Sequence, residues 1–323
     1  MNIAKPSTSK AWIIASFAAI YLIWGSTYLG ILLAIKTIPP FFMAGIRFFS
    51  AGILLLGWSL FKGDKIPSLS SVAKISLAGM LMLFIGNGAV TWAEQYLSSG
   101  LVAVLVATVP LWFVVMDKRQ WRFYFSNKQI ILGLCIGFAG VVLLFAGKTA
   151  ASLLSSKMTI ISLIVLTIGT LCWTSGSLYA KYRKMEGSTM MKVSIQMVSS
   201  GIGFFLVAFA TERGDSRTMS HVSAQSIFAI IYLIVMGSMV AYLAYNWLLS
   251  IRPASMVGTY AYINPVVAVF LGWLVANEHI NVQQIFGLAV IIIGLIIVNI
   301  SKEKKQSSQS LQRSISITME KTG

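Results

Sequence analysis

Charge is what this sequence has least of. Only 11% of its 323 residues are charged, and just 9 are acidic. Soluble chains carry about 25% charged and 45–50% apolar residues. Here 57% are hydrophobic and the mean hydropathy is +0.82. A soluble domain of this length would lack the polar surface it needs, and a disordered chain would be far less apolar. Cysteine is nearly missing as well. Cys135 and Cys172 each sit inside an apolar block, which excludes a disulfide framework. His221 and His279 are too isolated to hold a metal. There is no P-loop, no His-Glu-x-x-His and no aspartate pair, and Gly201-Ile202-Gly203 is a lone fragment inside an apolar run. ATP-driven pumping and metal-assisted hydrolysis are therefore not expected, nor is any cofactor.

What is present is a series of apolar blocks of roughly 20 residues, the length that crosses a hydrocarbon core. Runs and breakers predict about ten spans: residues 11–34, 41–61, 72–93, 100–116, 129–146, 158–180, 190–211, 227–249, 255–275 and 283–300. Short connections carry turn chemistry such as Pro39-Pro40, Lys62-Gly63-Asp64 and Arg252-Pro253. The fold class is thus an all-α integral membrane protein. The first apolar run is too long for a signal-peptide core and reads as a retained helix. The polar stretch 301–323 is expected to be a disordered tail.

The net charge of +16 could point to nucleic acid, but the cations do not gather on one surface. If the sides alternate from a cytoplasmic N-terminus, nineteen of the 25 basic residues fall on the cytoplasmic side and five on the other. This is the positive-inside bias, and it predicts that the segment 1–10 and the tail are both cytoplasmic. No nucleic-acid partner is expected.

The two halves, 11–146 and 158–300, resemble each other. QIILGLCIGFAGVVLL from Gln129 matches QQIFGLAVIIIGLIIV from Gln283, aligning Gly133 and Gly140 with Gly287 and Gly294. The fourth and ninth spans each carry a proline, Pro110 and Pro265, and WGSTY from Trp24 parallels WTSGSLY from Trp173. Five spans per half is an odd number, so the second copy enters from the opposite side and the repeats are inverted. Inverted repeats let one half rock against the other around a midplane site, which is the architecture of alternating access.

The motifs YLIWGSTYLG (21–30), PPFFMAGIRFFSAGILLL (39–56) and GNGAVTWAEQYLSSGLVAVLVATVPL (86–111) resemble the first half of an EamA-type permease. AYLAYNWLLSIRPASMVGTYAYINPVVAVFLG (241–272), followed by Glu278 and the Gly287/Gly294 span, resembles the second half. The chain is similar to the drug/metabolite transporter superfamily, and within it to the YedA-like bacterial branch. That resemblance implies a ten-helix inner-membrane carrier that exports amino acids or other small metabolites. The sequence departs from the pattern at a Trp/Phe-rich loop expected at 121–125, and at Ala276-Asn277 before Glu278.

Ionisable residues within spans are rare and mark functional positions. Arg47 and Glu94 each lie about six residues inside a span, roughly 9 Å at 1.5 Å per residue. At comparable depth they could pair as a gate or anchor a zwitterionic solute. Alternatively, Arg47 snorkels to the interface and Glu94 ends its helix. Glu94 and Glu278 are the groups through which protons could couple. Pro110 and Pro265 are expected to break their helices near the midplane, beside Thr108 and Asn264, which marks a binding region or gives only a kink that helps packing. Asn87, Thr91 and Asn246 are polar groups deep in spans. With Trp24, Thr27, Tyr28, Trp92, Trp173, Tyr179, Tyr242 and Tyr260 they are the candidates for an aqueous cavity with aromatic walls. Packing and interface anchoring are the competing uses of these residues, and Gly25–Thr27 also suit small-residue helix contact. The expected partners are a small-molecule substrate, lipid and, for coupling, protons; the sequence does not set the oligomeric state. The inverted repeats point to transport, and the resemblance implies that it is outward and of a small organic metabolite such as an amino acid. The alternative is an intramembrane enzyme acting on a lipid or isoprenoid phosphate.

Overall fold

The computed structural model describes residues 9–97, 99–149, 156–213, 222–276, 282–283 and 285–298. In lipid every backbone polar group must find a partner within the protein, so apolar runs fold as helices. The helices are α1 (Lys10–Ala34), α2 (Pro40–Phe61), α3 (Leu69–Ala93), α4 (Ser99–Val106), α5 (Val109–Met116), α6 (Trp121–Phe125), α7 (Lys128–Thr149), α8 (Lys157–Tyr182), α9 (Thr189–Thr211), α10 (Ala224–Ile251), α11 (Ala254–Val257), α12 (Tyr260–Ala276) and α13 (Ile285–Val298). Serine side chains cap several starts: Ser156, Ser188 and Ser223 each accept a backbone N–H from the first turn that follows. Pro40 opens α2, where its missing N–H costs nothing.

Six of the described helices are long and apolar enough to cross a membrane: α1, α2, α3, α8, α9 and α10. The other expected spans are not simple rods. The fourth is split at Ala107–Thr108 into α4 and α5, and the ninth starts as the short α11 before α12. The presumed loop at 121–125 is instead the helix α6, and the segment Lys118–Phe125 turns by 98° into Lys128–Leu143. The tryptophan and phenylalanines that argued for a loop belong to this cross-lying helix, with Trp121 and Phe125 exposed.

The two prolines stand in different settings, and only Pro265 departs from the expected break. Pro110 stands in the first turn of α5, directly after the Ala107–Thr108 break that splits the span. Pro265 breaks nothing and lies inside the continuous α12. A membrane helix tolerates proline when neighbouring groups pair the carbonyl it frees.

Packing follows a two-fold pattern. The second helices of the two halves, α2 and α9, make the most extensive helix–helix contact among the described residues. They approach closely because Gly52 and Gly201 lie at the crossing: a Cβ on Gly201 would come within 2.6 Å of the Phe49 backbone nitrogen. α1 packs on α10 and α12 of the other half, and reciprocally α8 packs on α3, α4 and α5. The fifth helices meet through the glycines that align between the halves, but in exchanged order. A Cβ on Gly133 would sit 2.8 Å from the Gly294 carbonyl oxygen, and one on Gly140 would sit 3.0 Å from that of Gly287. Exchanged pairing is what a two-fold axis between inverted repeats produces, so the two-repeat architecture fits the structure.

Large apolar side chains on the outer surface, among them Leu22, Leu206 and Phe228, are exposed and suited to lipid. The interior core is built around Trp24, Phe48, Leu83, Phe204, Tyr242, Tyr245 and Tyr260.

Hydrogen bonds between the halves close both ends. At the near end, where α1 begins, Ser188 donates to Asp64 at 2.6 Å, and the Ser68 N–H donates to Glu186 at 2.9 Å. The Tyr182 hydroxyl donates to both oxygens of the buried Asp117 at 2.8 Å. At the far end the Phe41 and Phe42 N–H groups donate to Glu212 at 2.8 and 2.9 Å, and Thr37 donates to Ser226 at 2.8 Å.

Candidate functional site

Two of the crossing helices are wound loosely in the middle. Residues Met80–Asn87 of α3 and Leu233–Val240 of α10 form π-helix. They lie in the third span of each half and, through Leu83, Gly86 and Asn87 on one side and Gly237 on the other, face the same cavity of about 70 Å³. A cavity needs about 10–15 Å³ on this measure to hold one water. The space therefore takes several waters or a solute of few heavy atoms. π-turns leave carbonyls and side chains at angles a regular helix does not offer, and they recur at functional sites.

Trp24 of α1 is the centre of the wall. Its Nε1 donates to the Gly237 carbonyl at 3.0 Å, tying α1 to the second π segment. Its ring meets Tyr260 at 4.7 Å, Tyr245 at 5.1 Å and Trp173 at 5.6 Å between centroids. Such offset and edge-on contacts are favourable for aromatic quadrupoles. The phenols are held in place: Tyr242 donates to the buried Gln196 at 2.8 Å, and Tyr245 shares a 2.8 Å bond with Ser177.

Arg47 is 3% exposed, so it does not snorkel. Its Nε donates to Ser238 at 2.9 Å, and its guanidinium carbon lies 4.7 Å from the Phe48 ring centroid. Glu94 is 6% exposed and follows α3 by one residue, still in helical geometry. It shares a helix face with Asn87 and Val90, both of which line the cavity. The expected Arg47–Glu94 pair does not form as a contact. Arg47 Nη1 and both carboxylate oxygens of Glu94 are buried without a hydrogen-bond partner. Arg47 is held instead by Ser238, on the opposite helix.

Further orphaned polar atoms are Asn87 Oδ1, Thr91 Oγ1, Trp173 Nε1, Asn264 Oδ1 and Ser162 Oγ. Buried polar groups are nearly always paired, and three of these belong to cavity-lining residues. Uncommitted polar atoms beside an aromatic box can orient a polar organic solute.

Of the residues singled out in the sequence, the cavity brings together Trp24, Thr27, Tyr28, Arg47, Asn87, Trp173, Tyr242, Tyr260 and Asn264. Others lie off its wall. Thr108 accepts from Trp112 Nε1 at 3.0 Å and donates to the Leu105 carbonyl, so it serves the helix break. Asn246 donates to the Tyr242 carbonyl one turn back. Thr91 is buried nearby, while Trp92 and Tyr179 are half-buried and do not line the cavity. Glu278 lies outside the described residues. Gly25 abuts Val267, consistent with helix packing. Missed from sequence were Gly169, Thr170, Gly237, Ser238, Gln196 and Tyr245. Thr170 could have been found from helical spacing to Trp173 (i, i+3), whereas Ser238 and Gln196 carry no local signal.

Among the described residues no group of three potential metal ligands occurs. The EamA-like transporter family matches residues 11–146 and 160–300. The uncharacterized inner membrane transporter YedA of Escherichia coli K12 is 35% identical over 285 residues, covering 88% of this chain and 89% of that protein. The uncharacterized transporter YoaV of Bacillus subtilis is 22% identical, covering 86% of this chain and 93% of its own. A solved crystal structure superposes with a TM-score of 0.73 at 14% identity, covering 92% of this chain and 99% of that one, and shares the fold.

Proposed function

Because the chain belongs to the EamA-like transporter family, we propose that this membrane transporter moves a small organic metabolite, such as an amino acid, outward by alternating access through the central cavity. The observation that carries the reading is the wall itself. It is assembled from both halves, with Trp24, Arg47 and Asn87 from one and Trp173, Tyr260 and Asn264 from the other, and it keeps polar atoms uncommitted. A carboxylate suits the unpaired Nη1 of Arg47, an ammonium suits the amide oxygens of Asn87 and Asn264, and an apolar side chain suits the box of Trp24, Trp173 and Tyr260. A site shared by two rocking halves is exposed to each side in turn. The hydrogen bonds at the near and far ends are the contacts that would open alternately. The near end faces the cytoplasm in this reading, since it holds the larger share of the cations.

Counterflow of ¹⁴C-labelled L-amino acids in proteoliposomes tests the proposal. Saturable exchange is the expected result, with the carried compounds also enriched outside overexpressing cells. Absence of exchange for every amino acid, with a folded protein, would contradict the substrate class.

A further inference from the structure

Glu94 is an acid with nothing to hold it. It is 6% exposed and both its oxygens lack a hydrogen-bond donor. The charged group whose field reaches it is Arg47 on α2, and its own charge reaches the neutral Tyr28 hydroxyl on α1. Arg47 donates through Nε to Ser238 on the opposite helix and lies against the Phe48 ring, while its Nη1 is buried without a partner. A structural carboxylate in lipid would be bonded to its partner, because an unpaired one is costly. An acid left this way sheds the cost by taking a proton or by meeting a mobile cation.

We propose that Glu94 is the coupling group of the transport cycle, binding a proton and the ammonium of the solute in turn. This rests on the reading that a solute with a cationic amine occupies the adjacent cavity. When the cavity faces outward, a proton from bulk water bonds to a Glu94 oxygen, and the ammonium that had neutralised the carboxylate leaves with its own protons intact. The neutral Glu94 returns with the empty site. On the inner side that proton passes to water, and a new ammonium takes its place. One proton enters for each solute that leaves, with no other reactant. Arg47 stays charged throughout and holds the carboxylate end of the solute, so the site as a whole never carries an uncompensated negative charge.

The test uses the full chain in proteoliposomes with the labelled amino-acid mixture as probe. In wild type the KM for exchange rises as pH falls, approaching tenfold per pH unit once protons compete, and an acid interior drives uptake several-fold. Glu94→Gln exchanges with a raised KM that no longer depends on pH, and it gains nothing from the gradient. Glu94→Asp keeps the coupling with a displaced pH profile, which secures the test if the Gln variant does not fold. Exchange in wild type that ignores pH, or gradient-driven uptake retained by Glu94→Gln, would overturn the coupling role while leaving the cavity reading standing. Lack of exchange in wild type itself would overturn that reading and the coupling with it.

Discussion

The two π-helical segments occupy equivalent places in the two halves but are treated in opposite ways. The second, Leu233–Val240, is tied across the interface: the Gly237 carbonyl accepts from the Trp24 indole, and Ser238 accepts from Arg47 Nε. The first, Met80–Asn87, ends on an amide oxygen without a partner and leads, two turns on, to the unpaired Glu94. Duplication supplies two loosened helices facing one space. In the proposed cycle the tied segment acts as a buttress, and the solute meets the other together with the unpaired Nη1 of Arg47. Substitutions on the buttress should cost stability, and those on the open side should cost transport.

The largest effect is expected at Trp24, which bridges the two sides. Trp24→Ala removes a buried indole and should lose about 3–5 kcal/mol of stability, as large core truncations do, together with transport. Thermal unfolding in detergent and counterflow measure the two losses. Trp24→Phe, which keeps most of the packing, should recover much of the stability. On the open side, Asn87→Ala should raise the KM for exchange about tenfold, worth about 1.4 kcal/mol. Its melting temperature should hardly move, because an unpaired group is being removed. On the buttress, Ser238→Ala should show the reverse. We expect a loss of about 1 kcal/mol, the scale of an interhelical hydrogen bond in a membrane, and a smaller change in KM. Equal stability losses for Asn87→Ala and Ser238→Ala would erase the contrast between the segments.

The smallest effect lies at the near end, outside the membrane. Asp64 is held below the usual carboxylate range by the Ser188 hydroxyl and then by Ser59. Glu186 is held low chiefly by the Ser68 N–H and hydroxyl. Acids lowered in the folded state stabilise it above their ordinary values and lose that contribution as pH falls through the lowered ones. Hydrogen exchange around residues 62–71, corrected for the intrinsic rate, should therefore be faster at about pH 3 than at about pH 6. Ser188→Ala should shrink the difference.

How much of this was legible beforehand differs by element. The six long helices follow from hydropathy, because lipid leaves an apolar run no other way to satisfy its backbone. Trp24 and Trp173 stood out as large indole-bearing residues deep in spans, and the aligned glycines marked where the fifth helices touch. The π segments were not legible, because no residue type encodes a wide turn and the winding is imposed by packing across the interface. For the same reason Arg47 seemed a natural mate for Glu94. Depth along a span can be read from residue number, but which side of the cavity a side chain takes depends on the partner helix, and Ser238 lies 191 residues away from Arg47. Pro265 misled because proline breaks helices in water, whereas neighbouring groups sustain it in a bundle.

The most direct test of the cavity as the solute site is protection from alkylation. With Cys135 and Cys172 replaced by alanine, Val90→Cys places a thiol on the cavity wall, about one turn from Asn87. A membrane-permeant maleimide should label it, and the amino acid that exchanges best should slow labelling with a half-effect at its KM. Labelling at an unchanged rate under saturating solute, in protein that still exchanges it, would contradict the account.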